Sequence, residues 1–269
     1  MTALIILFLI LAAAYLFAVG GRTGHEGLKN LQGWSYAHRG LHGEGRPENS
    51  MAAFQAALEG GYGIELDIHL LKDGNLAVIH DSSLKRTTGY EGRIEDLTVG
   101  ELKNYPLEGT GETIPTFRQV LELYDGKAPL IVELKPVDNN HAALTETACQ
   151  LLEDYRGVYC MESFDPRCIY WLKKNRPQII RGQLSENFLR SDSKLPWWLR
   201  FVLTHNLSHL LTRPDFIAYK YADRKDTPGN FLCRRVHGIQ GVSWTLRSKE
   251  EYDTALKEGW LPIFEGFRP

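Results

Sequence analysis

From Trp34 onward, short apolar runs alternate with longer stretches in which apolar positions recur every three to four residues. The short runs have strand length and β-branched or aromatic content, and the longer ones have the period of a helix lying on a core. Eight of the runs read as strands: "WSYAHRG", "YGIELDI", "PLIVELK", "VYCMESF", "IIRGQL", "DFIAYKY", "IQGVSWTL" and "LPIFEG". After the first, "PENSMAAFQAALEGG" puts Met51, Phe54 and Leu58 on one face, with Asn49 or Ser50 as cap and Gly60 as stop. "TIPTFRQVLELYDG" is similar, with Pro115 near its start and Gly126 just past its end. Strands separated by helical crossovers predict a closed (β/α)₈ barrel, an α/β fold whose working face lies at the carboxyl ends of the strands.

Two segments break the alternation. The run "NLAVIH" follows the second strand too closely for another βα repeat. Asp73-Gly74 between them is a strong two-residue hairpin signal, which pairs Lys72 with Asn75 and, continuing the register, Asp67 with His80. The second strand is therefore expected to carry a β-hairpin extension that returns His80 to the barrel mouth. The other exception is "ALIILFLILAAAYLFAV", Ala3 to Val19, which contains no charge. At about 1.5 Å per residue it is long enough to cross a thin bilayer as a helix. A cleaved signal peptide competes through Ala18-Val19-Gly20, but no basic residue precedes the run. Arg22 and Lys29 follow it, which places the rest of the chain in the cytoplasm by the positive-inside bias. The expectation is a single-pass membrane anchor in residues 1–21 and one barrel in residues 22–269.

Composition adds mainly exclusions. The net charge of the 269 residues is only -2 and no basic run is present, so nucleic acid is not an expected partner. Cys149, Cys160, Cys168 and Cys233 form no C-x-x-C pair and read as reduced core residues.

The chemistry lies at the predicted strand ends. Glu65 and Asp67 are two apart on one strand, with His69 beyond them, and Glu133 ends the next barrel strand in "IVELKP". Three acids converging at one mouth would repel and protonate unless a cation held them; any one alone reads as a solvated strand-end acid. An all-oxygen set suits Mg²⁺ or Ca²⁺ better than zinc. His38 and His80 end their runs at the same mouth, where two imidazoles flanking an anion can serve as general base and general acid; a lone strand histidine is more often structural. Arg39 and Lys135 sit beside them as contacts for phosphate oxygens, or as ion-pair partners of the acids.

With "AHRG", "PENS", "ELD", "KDG", "IHD", "IPTF", "VELK" and "SWTL" in this order, the chain from about Ser35 resembles the glycerophosphodiester phosphodiesterase family. The resemblance implies a TIM-type barrel, a divalent metal, and hydrolysis of a glycerophosphodiester to sn-glycerol 3-phosphate and an alcohol. It also implies His38 and His80 as the catalytic pair, and Glu65, Asp67 and Glu133 as metal ligands. Arg39, Lys135 and Trp244 follow as substrate contacts, and Glu48 and Asn49 as residues that order the site. The chain departs from the family's pattern at Ser50, at His69 and at "PIFEGF" in the last strand. The N-terminal run raises a second possibility, lysophospholipase D activity on a membrane lysolipid. A non-catalytic lipid-binding barrel is a third, disfavoured because a binding module needs no complete acid, base and metal set. Between the fifth and sixth barrel strands, "KLPWWLRFVLTHNLSHLL" reads as a crossover helix or an interfacial one. Trp197 and Trp198 are adjacent, so at least one is expected to point away from the core.

Overall fold

The computed structural model describes residues 1–269, and the predicted strands close on one another. They are β1 (Tyr36–His38), β2 (Gly63–Leu70), β4 (Leu130–Leu134), β5 (Tyr159–Ser163), β6 (Arg181–Ser185), β7 (Phe216–Lys220), β8 (Gln240–Leu246) and β9 (Trp260–Phe264), with the extra β3 (Leu76–Val78) after β2. All barrel pairs are parallel and β1 lies between β9 and β2, which completes the ring; β3 is antiparallel to β2.

The helices are α1 (Thr2–Ala18), α2 (Met51–Glu59), α3 (Lys85–Thr88), α4 (Phe117–Tyr124), α5 (His141–Leu152), α6 (Pro166–Asn175), α7 (Trp197–Thr204), α8 (His209–Thr212), α9 (Pro228–Phe231) and α10 (Lys249–Lys257). Caps set several of them. Ser50 accepts from Ala53 N–H and starts α2, which Gly60 ends, and Thr116 with Gln119 forms a capping box on α4.

Strand alternation explains the core. On β2, Ile64, Leu66 and Ile68 join the large cluster between barrel and helices, while Glu65, Asp67 and His69 take the other face. Up the inner face of the neighbouring strands, apolar residues give way to polar ones: Ile131 then Glu133, Cys160 then Glu162, Tyr36 then His38, Ile263 then Glu265. The barrel is thus filled with side chains towards its amino end and lined with charge at its mouth. All four cysteines are buried and unpaired.

The hairpin differs from expectation by one residue. Leu70 pairs with Leu76 and Ile68 with Val78, so Asp67 is opposite Ile79, whose N–H donates to Asp67 O at 3.1 Å. The cause is a three-residue loop, Lys72 to Gly74, in place of the two-residue turn. Gly74 takes the left-handed conformation (φ 82°) after a turn closed by Gly74 N–H to Leu71 O, and Asp73 Oδ1 accepts from Asn75 N–H. His80 then reaches the mouth by continuing past the end of β3.

The N-terminal expectation is met only in part. The apolar run is helical, but α1 has 17 residues, and no helix is long and apolar enough to cross a membrane. Met1 to Ala14 are exposed on all sides. The other end is fixed to the barrel. Val19 is fully buried, and its carbonyl accepts from Cys233 Sγ and contacts His209 Nδ1; His237 Nε2 meets Leu16 O at 2.8 Å, and Arg213 donates to Phe17 O and Gly20 O. Arg213 and His237 immediately precede β7 and β8, so α1 joins the floor of the barrel, opposite the mouth. Arg22 continues the joint with a two-pronged contact to the buried Asp215, 2.5 and 2.6 Å.

Candidate active site

The carboxyl ends of β1, β2, β4, β5, β8 and β9 converge on a small cavity of about 40 Å³, walled by Glu65, Glu133, Glu162, His38, His80, Arg39 and Trp244 with Phe164, Leu184 and Ile263. A shallower groove of about 400 Å³ adjoins it, sharing His38, Arg39 and Trp244 and adding Lys220, Tyr221 and Arg247. The largest depression, about 430 Å³, is lined by residues such as Leu76, Arg118 and Leu151 and contains none of the converging acids or histidines. We therefore place the chemistry in the first two.

Glu65, Asp67 and Glu133 are buried, and their nearest oxygens all lie within 4.8 Å of one another. Lys135 Nζ stands 3.1 Å from Asp67 and 2.7 Å from Glu133, as ion pairs that lack the alignment of hydrogen bonds. Asn49 Nδ2 donates to Asp67 at 2.9 Å, and Arg39 Nε lies 3.5 Å from the same carboxylate. Arg39 and Asn49 both adopt positive φ (54° and 55°), which turns "HRG" and "PEN" into the site. Burial would raise Asp67, but Lys135, His80 and Arg39 reverse it and hold the carboxyl well below the usual range. Glu65 and Glu133 go the other way, through burial and then the neighbouring carboxylates; Glu133 is raised to about 7. Four buried carboxyls, counting Glu162, thus share two cations. That imbalance fits a divalent cation in the three-carboxylate set.

The two histidines are matched. His38 Nδ1 lies 2.6 Å from Glu265 Oε2, and His80 Nδ1 lies 2.6 Å from Asp81 Oδ1. Each carboxylate fixes a ring whose Nε2 is left for the cavity; His38 Nε2 stands 3.9 Å from Glu65. Burial is the main force lowering both imidazoles, with Arg39 adding to it at each; His80 falls to about 4. Arg86 binds Asp81 and, through two nitrogens, Glu48, which in turn accepts from Arg39 at 2.9 Å. His69 is not in the cavity: it bridges Glu95 Oε1 and His80 O, supporting the return of the hairpin.

All ten site residues expected from sequence meet at this mouth: His38, Arg39, Glu65, His80, Glu133 and Trp244 line the cavity, and Asp67, Lys135, Glu48 and Asn49 stand behind them in contact with Arg39, Asp67 or Glu133. Four others escaped sequence reasoning: Asp81, Arg86, Glu162 and Glu265. Glu265 stood in the departing "PIFEGF", where ring closure puts β9 beside β1. Glu162 ends β5 directly beside Glu133, the position at which the adjacent strand carries an expected ligand.

The Glycerophosphoryl diester phosphodiesterase family matches residues 38–265 of this chain. The chain belongs to that family. It is a phosphoric diester hydrolase that acts on glycerophosphodiesters. A glycerophosphodiester phosphodiesterase of Caldanaerobacter subterraneus subsp. tengcongensis is 30% identical over 233 residues, covering 83% of this chain and 89% of that protein. A lysophospholipase D of Rattus norvegicus is 36% identical over 133 residues, 45% of this chain and 41% of that protein. Among solved structures, a phosphodiesterase of Oleispira antarctica in complex with the product sn-glycerol 3-phosphate superposes with a TM-score of 0.72. At 22% identity, covering 91% and 95% of the two chains, this likeness concerns the fold.

Proposed function

We propose that this protein hydrolyses a water-soluble glycerophosphodiester to sn-glycerol 3-phosphate and an alcohol, with His38 and His80 as the acid–base pair. The observation that carries the proposal is the matched pair of imidazoles, each pinned at Nδ1 by a carboxylate and turned towards the acid cluster. Glu65, Asp67 and Glu133 would hold one Mg²⁺ or Ca²⁺, which when bound supplies charge stabilisation at the phosphoryl oxygens. His38, its Nδ1–H donated to Glu265, offers a free Nε2 to take the proton of the attacking hydroxyl. His80 returns a proton to the leaving alkoxide, and the anionic substrate favours its protonated form. Arg39 and Lys135 add positive charge at the phosphate, Trp244 walls both compartments, and Glu48 and Asn49 hold Arg39 and Asp67 in place.

Residues 22–269 act as the catalytic barrel, and residues 1–21 lodge in a membrane with the barrel on its cytoplasmic side. Only Met1 to Ala14 of this segment are clear of the barrel, well short of the ~20 residues that span a hydrocarbon core, so α1 enters the bilayer without crossing it. Because α1 joins the floor, the mouth opens away from the bilayer, which favours substrates arriving from solution. Lysolipid hydrolysis is the second reading, supported by Trp197 and Trp198, 70% and 58% exposed on α7, which begins on the mouth side of the barrel. The same full-chain protein tests both. Phosphorus NMR with glycerophosphocholine and Mg²⁺ or Ca²⁺ is expected to show sn-glycerol 3-phosphate appearing. No turnover, or phosphocholine as the product, would overturn the proposal. Faster turnover of lysophosphatidylcholine, slowed by Trp197→Ala and Trp198→Ala, would favour the second reading.

A further inference from the structure

Glu162 is the one acid at the mouth that nothing in the protein holds. It is 1% exposed, makes no hydrogen bond, and its buried Oε2 has no partner. An unpaired buried carboxyl costs several kcal/mol whichever form it takes, so a site that keeps one is built to meet something from outside. It stands outside the cation set: the three oxygens that approach within 4.8 Å of one another come from Glu65, Asp67 and Glu133. Nor does Lys135 contact it, since that ammonium is placed on Asp67 and Glu133. Glu162 stands beside Glu133 in the cavity wall, which also carries the apolar Phe164, Leu184 and Ile263. Its volume of about 40 Å³ has room for a hydroxyl or a water, and not for an aromatic ring or an acyl chain.

We infer that Glu162 receives the terminal hydroxyl of the substrate's glycerol unit and is the residue that selects glycerol over other alcohols on that side of the phosphate. The inference rests on the glycerophosphodiester reading and names the group that enforces it. It holds for either state of the carboxyl: ionised, it accepts the hydroxyl proton; protonated, it donates and accepts. A buried group left unpaired by a substrate lacking the hydroxyl discriminates strongly, by up to ~10⁴-fold where a site is built around that bond. The outer groove then takes the alcohol half, which contributes no comparable selection at Glu162.

The test compares glycerophosphocholine with the analogue in which the terminal glycerol hydroxyl is replaced by hydrogen, using wild type, Glu162→Gln and Glu162→Leu. The expected result is a wild-type preference of at least ~10²-fold in kcat/KM that Glu162→Leu abolishes by losing the glycerol substrate alone. The isosteric Glu162→Gln should keep part of it, because an amide still bonds a hydroxyl. Calorimetry provides a readout without turnover: sn-glycerol 3-phosphate should bind wild type more tightly than 2-hydroxypropyl phosphate, which lacks only the terminal hydroxyl, and lose that advantage in Glu162→Leu, while Mg²⁺ and Ca²⁺ affinities stay the same. Equal losses on both substrates, or a fall in cation affinity, would overturn the inference and make Glu162 a ligand of the ion. A wild type that binds sn-glycerol 3-phosphate selectively yet turns over no diester would instead count against the reaction and leave Glu162 as a glycerol contact.

Discussion

The two ends of this barrel are built from the same strands and settle their polar groups in opposite ways. At the floor, Leu16, Phe17, Val19 and Gly20 each present a carbonyl, and His237, Arg213, Cys233 and His209 come to meet them. Asp215, fully buried, is matched by Arg22 and by the N–H of Arg181. At the mouth, four buried carboxyls share Lys135 and Arg39, and Glu162 has no partner. The buried charge at the floor has its counter-ion within the chain, whereas the mouth keeps more buried carboxyls than cations, and that surplus marks where a ligand is awaited.

The contrast is broken most directly by removing the ion. Dialysis against EDTA should bring glycerophosphodiester turnover to background while circular dichroism is unchanged, and Mg²⁺ or Ca²⁺, but not zinc alone, should restore it. Undiminished turnover after metal stripping would contradict the three-carboxylate assignment. Next, His38→Ala and His80→Ala should each lower kcat by ~10²–10⁴-fold and leave the thermal midpoint near wild type, measured by steady-state kinetics and melting. Either variant retaining wild-type kcat would remove that histidine from the mechanism.

A smaller effect separates the imidazole from its partner. A base works unprotonated, and burial with Arg39 holds His38 below its ordinary 6.5, so kcat, measured with bound substrate keeping His80 protonated, should persist as pH falls through 6.5 and decline only beneath it. Glu265 raises His38; Glu265→Gln keeps an acceptor but loses the charge, and should move that limb to lower pH with about a tenfold drop in kcat. An acid limb that stays where the wild type has it would refute the pairing.

At the floor the readout reverses. Arg22→Ala strands the Asp215 carboxylate and should cost stability near the low end of ~3–5 kcal/mol, because Arg22 is partly exposed, with kcat unchanged in denaturant and kinetic measurements. Loss of activity without loss of stability would mean that the two ends are coupled. Least disturbing is His69→Gln, outside the cavity, which should retain most of wild-type turnover; a loss as large as that of His80→Ala would put the His69 contact to His80 O at the centre of catalysis.

Much of the mouth was legible because its residues sit in short motifs at strand ends, where alternation alone decides the face: Glu65 and Asp67 on β2, Glu133 on β4, His38 on β1. What stayed hidden depends on closure and on loop geometry. Glu265 is 227 positions from His38, and only the meeting of β9 with β1 makes them neighbours. Glu162 read as one residue of an apolar strand until β5 was set beside β4. The hairpin register was misjudged because Asp-Gly serves both a two-residue turn and a three-residue loop with glycine in the left-handed position, and the residues either side do not distinguish them. The N-terminal helix was visible from hydropathy, but its joint was not, since Arg213, Cys233 and His237 carry no local sign of facing Val19 and its neighbours.

That joint has a mechanical consequence. A helix held by side chains at Leu16 and Phe17 in its last turn and at Val19 and Gly20 just beyond it is not free to swivel against the body it carries, so α1 behaves as a stalk and not as a tether. A barrel on a stalk keeps one heading relative to that stalk.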